Sequence, residues 1–414
     1  MRLSLFTGVL LLLPPLAGAT EFSAELYLDA RYAIASGEPS WLDQGLGKGR
    51  YGGGRNGGSN SDFDLAEVAF IGHWQPTWDL KGFLHLKHDP EQNSSPDVVE
   101  AYFSYQAVPR SAFSYRLKAG LFFPEISREN TAVAWTSPYT ISSSAINTWV
   151  GEEIRTTGLE LKVTHRSDYG ELSLTGSAFA FNDPAGTLLA FRGWSIGDVK
   201  VGARGDLPLA QLPAIGPQSS FVPQVFEVKP VREVDEKLGY YAAIDWRDRR
   251  ALQVGALYYD NRADPEDLEA SQYGWGTRFV NFYVELDLGD DITAISQYMR
   301  GTTNMGGRVA NGNSRQIDVD YAAGFVLASK KMGPYRASVR FDWFEVDDNS
   351  NVAIDNNNEE GEAYTLAISM KVRKQDLIMM EFLYIDSERA ARRSIGYGAQ
   401  QDNKLFQLSY RFRL

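Results

Sequence analysis

The feature that most constrains this chain is how its connections are sorted. Segments of roughly ten residues with period-two patterning are joined alternately by long and by short linkers almost without exception. Phe22 to Ile34 sets the pattern, with Phe22, Ala24, Leu26, Leu28, Ala30 and Tyr32 on one face and Ser23, Glu25, Asp29 and Arg31 on the other. Strands are then expected at Asp62–Gln75, Asp79–His88, Asp97–Gln106, Ala112–Phe123, Ile154–Arg166, Gly170–Phe181, Lys237–Trp246 and Ala251–Asp260. Seven more follow at Trp275–Leu288, Asp291–Arg300, Arg315–Ser329, Pro334–Val346, Gly361–Val372, Asp376–Asp386 and Asp402–Leu414, which makes about sixteen. Short turns such as Pro76-Thr77 and Gly289-Asp290 alternate with long stretches at Ser36–Ser61, Asp89–Pro96, Pro124–Glu153, Asn182–Glu236 and Asn261–Gln272. A soluble sandwich has no reason to sort its connections in this way. A closed transmembrane barrel does, because turns on one side and loops on the other meet different compartments. The expected fold class is all-β, a transmembrane antiparallel β-barrel of about sixteen strands.

The ends and the composition agree. Arg2, the apolar run Leu3–Leu13 and Ala17-Gly18-Ala19 read as a secretory signal peptide cut after Ala19, leaving 414 − 19 = 395 residues, 20–414, as one barrel domain. Beyond that cut no apolar run is long enough to span a bilayer as a helix. Cysteine is absent, so packing and hydrogen bonding carry stability. A net charge of −12 excludes nucleic acid as a partner class.

The strand faces support closure. Ala337, Val339, Phe341 and Trp343 oppose Arg336, Ser338, Arg340 and Asp342, and Tyr364, Leu366, Ile368, Met370 and Val372 oppose Thr365, Ser369, Lys371 and Arg373. In the last strand Phe406, Leu408, Tyr410, Phe412 and Leu414 share a face opposite Gln407, Ser409, Arg411 and Arg413. Closing such a sheet removes the open edges that lipid does not tolerate. The C-terminal segment LFQLSYRFRL resembles the terminal strand of Gram-negative porins, though it ends in Leu414 rather than Phe. In strand number and length the chain resembles the phosphate-selective O/P type. That resemblance implies an outer-membrane location, a homotrimer, contact with outer-membrane lipid and lipopolysaccharide, and a third loop folded into the lumen. It departs from the type in its fifth loop, which is acidic at Asn261–Gln272 where those porins carry a lysine cluster.

The third loop, Pro124–Glu153, holds two Trp, two Pro and five Ser and shows no strong strand or helix period. Its aromatic content argues for an ordered loop. Arg128, Glu129, Trp135, Tyr139, Trp149, Glu152 and Glu153 are the candidates for a pore constriction. Parity assigns Lys81, Lys87, Arg116, Lys118, Lys162, Arg336, Arg340, Lys371 and Arg411 to a basic lumen set, and Glu285, Asp287, Asp318 and Asp320 to an acidic arc on the tenth and twelfth strands. Opposed arcs would set up a transverse field suited to charged or zwitterionic solutes. Wet walls must be polar in any case, and the loop aromatics would serve equally to pin the loop.

No enzyme signature emerges. His85 and His88 are three apart on a strand and point to opposite faces, which spoils them as a chelating pair. His165 has no hydroxyl on the outward set of the next strand, Leu172, Leu174, Gly176, Ala178 and Ala180, as a surface hydrolase would need. The glycine-rich basic stretch Gly45–Ser61 lacks both phosphate-loop patterns and reads as a long mobile loop. Val346–Glu362 offers many oxygen ligands but neither the glycine nor the spacing of an EF-hand. No cofactor and no metal are expected. The expected function is passive diffusion of small hydrophilic solutes. The alternative is a non-channel barrel with a structural or surface-binding role, acting through long loops such as Asn182–Glu236.

Overall fold

A computed structural model describes residues 21–414 except 55, 56, 217, 218, 222, 309–314, 351 and 353; the segment expected to be a signal peptide, 1–19, lies outside the described residues. Sixteen antiparallel strands close into one barrel. They are β1 (Glu21–Ser36), β2 (Asn60–Gln75), β3 (Leu80–His88), β4 (Asp97–Gln106), β5 (Phe113–Phe122), β6 (Thr156–Ser167), β7 (Gly170–Ala180) and β8 (Gly239–Asp248). The circuit continues with β9 (Leu252–Asp260), β10 (Gly276–Asp287), β11 (Ile292–Arg308), β12 (Arg315–Met332), β13 (Tyr335–Asp348), β14 (Glu359–Lys371), β15 (Asp376–Arg389) and β16 (Gln400–Arg413). Closure is made by β1 against β16, from Tyr27↔Arg413 to Ser36↔Lys404.

The expected strand order and connection lengths are those observed. Outside the barrel, Leu161, Phe282, Val326, Val339 and Leu366 are each about half exposed, at 48–57%. Such an apolar belt would be a liability in water and is the lipid-facing band of a membrane barrel. Among the described residues no helix is long and apolar enough to cross a membrane.

Inside, the barrel is filled at one end. Trp41 and Leu46 from the first loop, α1 (Ala145–Glu153) from the third, and Leu188, Leu189, Trp194 and Val201 from the fourth share one buried cluster with Phe279, Met299, Tyr321 and Leu383 of the wall. Residues 45–54 of the glycine-rich first loop are packed rather than mobile, with Leu46, Lys48 and Arg50 buried. Glycine is required where it doubles back: a Cβ on Gly52 would lie 2.0 Å from the Ser40 nitrogen. Buried ion pairs tie the fill to the wall, Asp198 to Arg31 at 2.7 Å and Lys200 to Glu67 at 2.6 Å.

One assignment is corrected here. Asp318 and Asp320 share parity with the outward Val326, while Ile317, Val319, Tyr321, Phe325 and Leu327 are buried inside. The inner face of the strand is apolar because it packs against the loop core. A rule that sends polar residues inward therefore chooses the wrong side.

Candidate functional site: the inward third loop

The third loop leaves β5, crosses the interior and returns to β6, held by hydrogen bonds to strands around the barrel. From its root outward, Gln297 of β11 donates to the Ile126 carbonyl at 3.0 Å and accepts from the Arg128 amide at 3.1 Å. Arg128 donates through Nη2 to Asp245 of β8 at 2.8 Å with its guanidinium 3.5 Å from the centre of the Tyr283 ring. At the far side Ala134 packs with Tyr27, Ala69 and Ile71 of β1 and β2. Ala134 and Trp135 both have positive φ, at 57° and 53°, a conformation costing roughly 1–2 kcal/mol per residue. Burial of Ala134 and stacking of Trp135 on Phe123 at 4.2 Å offset that cost.

The loop then runs along the opposite wall. Arg411 of β16 donates to the Ser137 carbonyl at 3.1 Å. Glu381 of β15 accepts from the Ser142 hydroxyl at 2.6 Å and from its amide at 3.1 Å. Arg340 of β13 donates to the carbonyls of Ser142 at 2.7 Å and Ser143 at 3.0 Å, and pairs with Glu129 at 3.1 Å and Asp342 at 2.7 Å. A guanidinium with five donors suits a site where both carboxylates and bare carbonyls must be satisfied.

α1 follows for local reasons. The Ser144 side chain caps it by accepting from the Asn147 amide, and the Glu129 carboxylate accepts from the Ser144 amide at 2.7 Å, placing negative charge at the helix start. All nine of its residues are buried. Trp149 lies edge-on to Trp194, Phe279 and Tyr321 with ring centres 5.9, 5.5 and 5.4 Å away. Glu153 ends the helix as an acceptor for Trp149 Nε1 at 2.6 Å, Gly186 N at 3.0 Å and Leu188 N at 2.9 Å, and burial nevertheless pushes its carboxyl up to about 7.

The candidates therefore separate into two groups. Glu129, Trp149, Glu152 and Glu153 have 0% exposure and are internal fasteners with no face to solute; Glu152 is taken up by Arg192 at 2.7 Å. Arg128, Trp135 and Tyr139 are half-buried at the loop's open side, where Arg336 lies 5.0 Å above the Tyr139 ring. Among the basic set, Arg340, Arg411 and Lys87 are buried and paired, Lys87 to Asp89 at 3.1 Å. Arg116, Lys118 and Lys162 meet Glu125 and Glu160 at the loop's root, and these cations hold the half-buried Glu125 carboxyl well below the usual range. Lys81, Lys371 and Asp287 are exposed at the strand ends and Glu285 is half-buried.

Gln297 was invisible to a charge-based reading, being neutral. Glu381 carried an inward-parity signal but nothing to link it with the loop. Asp183, Glu233 and Asp235 lie within 4.8 Å of one another in the fourth loop. Their oxygens already accept from the Val234 amide at 2.6 Å, the Phe181 amide at 2.9 Å and Lys237 at 3.3 Å.

Closed sixteen-strand topology, an apolar outer belt and a loop pinned across the interior make one architecture. The fold is that of the outer-membrane porins. No family model matches the chain, and no curated protein matches it in sequence. Solved porin-fold structures do. Salmonella typhi OmpF, in complex with daunomycin, superposes with a TM-score of 0.53 at 12% identity, covering 94% of this chain and 97% of that one. In vitro folded OmpT of Vibrio cholerae, in a trimer form, gives 0.52 at 9% over 95% and 99%. The outer-membrane channel DcaP of Acinetobacter baumannii gives 0.51 at 11% over 94% and 97%.

Proposed function

We propose that the chain is an outer-membrane porin of a Gram-negative bacterium that lets small hydrophilic, charged or zwitterionic solutes diffuse past its inward third loop. The observation that carries this reading is the pinning of Pro124–Glu153 across the interior by Gln297, Arg340, Glu381 and Arg411. A segment held on opposite walls sets the free cross-section, and the half-buried Arg128 and Tyr139 are placed to meet what passes. A homotrimer in contact with lipid and lipopolysaccharide belongs to the same reading, supported by the trimer form of Vibrio cholerae OmpT. Kinship with the phosphate-selective type rests on strand number and chain length alone.

Purified protein in planar bilayers should give discrete conductance steps, and deleting residues 131–144 should enlarge them. Unchanged step size would refute the placement of the constriction. A second reading, a barrel that acts at the surface without conducting, draws on the buried packing of 182–202 inside the wall; silent bilayers would favour it.

A further inference from the structure

Beneath the third loop, at the end of the barrel where the turns are short, the inner faces of β4 to β9 enclose a polar basin of about 170 Å³ open to water. Four cations line it, Arg116, Lys162, Arg166 and Arg247, against two carboxylates, Glu171 and Asp245. Both carboxylates are engaged, Glu171 by Arg166 at 2.7 Å and Asp245 by Arg128 at 2.8 Å. Arg247 stands apart. Its Nε and Nη2 both donate to the neutral Gln253 Oε1, at 3.1 and 2.8 Å, and among the described residues it has no carboxylate partner.

A guanidinium whose Nε and Nη2 edge meets only one neutral amide oxygen still offers that edge to a carboxylate, whose charge roughly doubles the strength of such bonds. Ser114, Thr164 and Ser173 stand on the same wall with hydroxyls suited to further polar groups of a ligand. We propose that this basin is a binding site for small hydroxylated carboxylates, with Arg247 as the principal contact and Lys162 supplying field. The site deepens the porin reading by naming an anionic solute class, and it rests on that reading for its place in transport.

The test uses gluconate as probe on the detergent-purified full-length protein, with binding followed by saturation-transfer NMR so that conduction is not needed. Wild type should saturate in the millimolar range, and Arg247→Gln should raise the half-saturation concentration at least fivefold. Gln253→Glu, which supplies an internal carboxylate to Arg247, should do the same without removing any cation. No binding by wild type, or either variant binding as tightly as wild type, would overturn the assignment. Binding with silent bilayers would keep the site and sink the porin reading; conduction without binding would do the reverse.

Discussion

Two stretches of the same inner wall differ in kind. On β12 the inward residues Ile317, Val319, Tyr321, Ala323, Phe325 and Leu327 are apolar and almost wholly buried. On β5 to β7 the inward residues are Ser114, Arg116 and Lys118, then Glu160, Lys162 and Thr164, then Ser173, Thr175 and Ser177. Both stretches face the interior of one barrel. What differs is the neighbour: β12 backs onto α1 and the fourth loop, whereas the lower part of β5–β7 borders water. Inside a barrel, polarity follows the local filling rather than a general rule that lumens are wet.

The largest test of this contrast is Trp149→Ala, which removes the ring that joins α1 to both Trp194 and Tyr321. It should cost about 3–5 kcal/mol in the unfolding transition of the loop core, read as a loss of protection of residues 131–155 against protease while the barrel stays closed on gels. A matched pair of near-isosteric swaps sharpens the comparison. Ala323→Ser buries a hydroxyl opposite Met299 and Phe344 and should destabilise by about 1–3 kcal/mol. Thr164→Val gives up a bond to Ser173 at 2.8 Å on the wet wall and should stay within about 0.5 kcal/mol, because water replaces the partner. Equal effects in denaturant melts would erase the distinction between the walls.

A pH dependence tests the buried end of the contrast at Glu153, whose carboxyl rises from 4.5 to about 7 on burial. Between those values the folded state keeps a proton that the unfolded state has lost, so stability falls as pH rises through the window and levels above it. Glu153→Gln should flatten that slope in a Trp fluorescence titration. A slope that survives the substitution would point to Asp183 of the fourth loop, which burial also raises to about 7.

Most of the fold was legible in the sequence because strand alternation and connection length are local signals. All sixteen strands fall within a few residues of the expected bounds, apart from β11 and β12, which run on to Arg308 and Met332. α1 was not legible, since a helix buried on every side has no polar stripe to betray it. Asp318 and Asp320 were misassigned for a related reason: the inner face of β12 is apolar, so sending the polar residues inward selected its outer face. Of the constriction candidates, Glu129, Glu152 and Glu153 were chosen as charges within a long loop, and sequence cannot tell a charge that meets water from one enclosed by Arg340, Arg192 or backbone amides.

The course of the third loop has a mechanical side. A thin cylinder yields most easily by flattening into an ellipse, and a strut joining opposite points of its rim resists that mode. Residues 126–145 tie β8 and β11 to β13, β15 and β16 in a single span. Lateral squeezing by the surrounding membrane is thus borne across the bore as well as around it, and cutting any one tie should let the ring change shape before it opens.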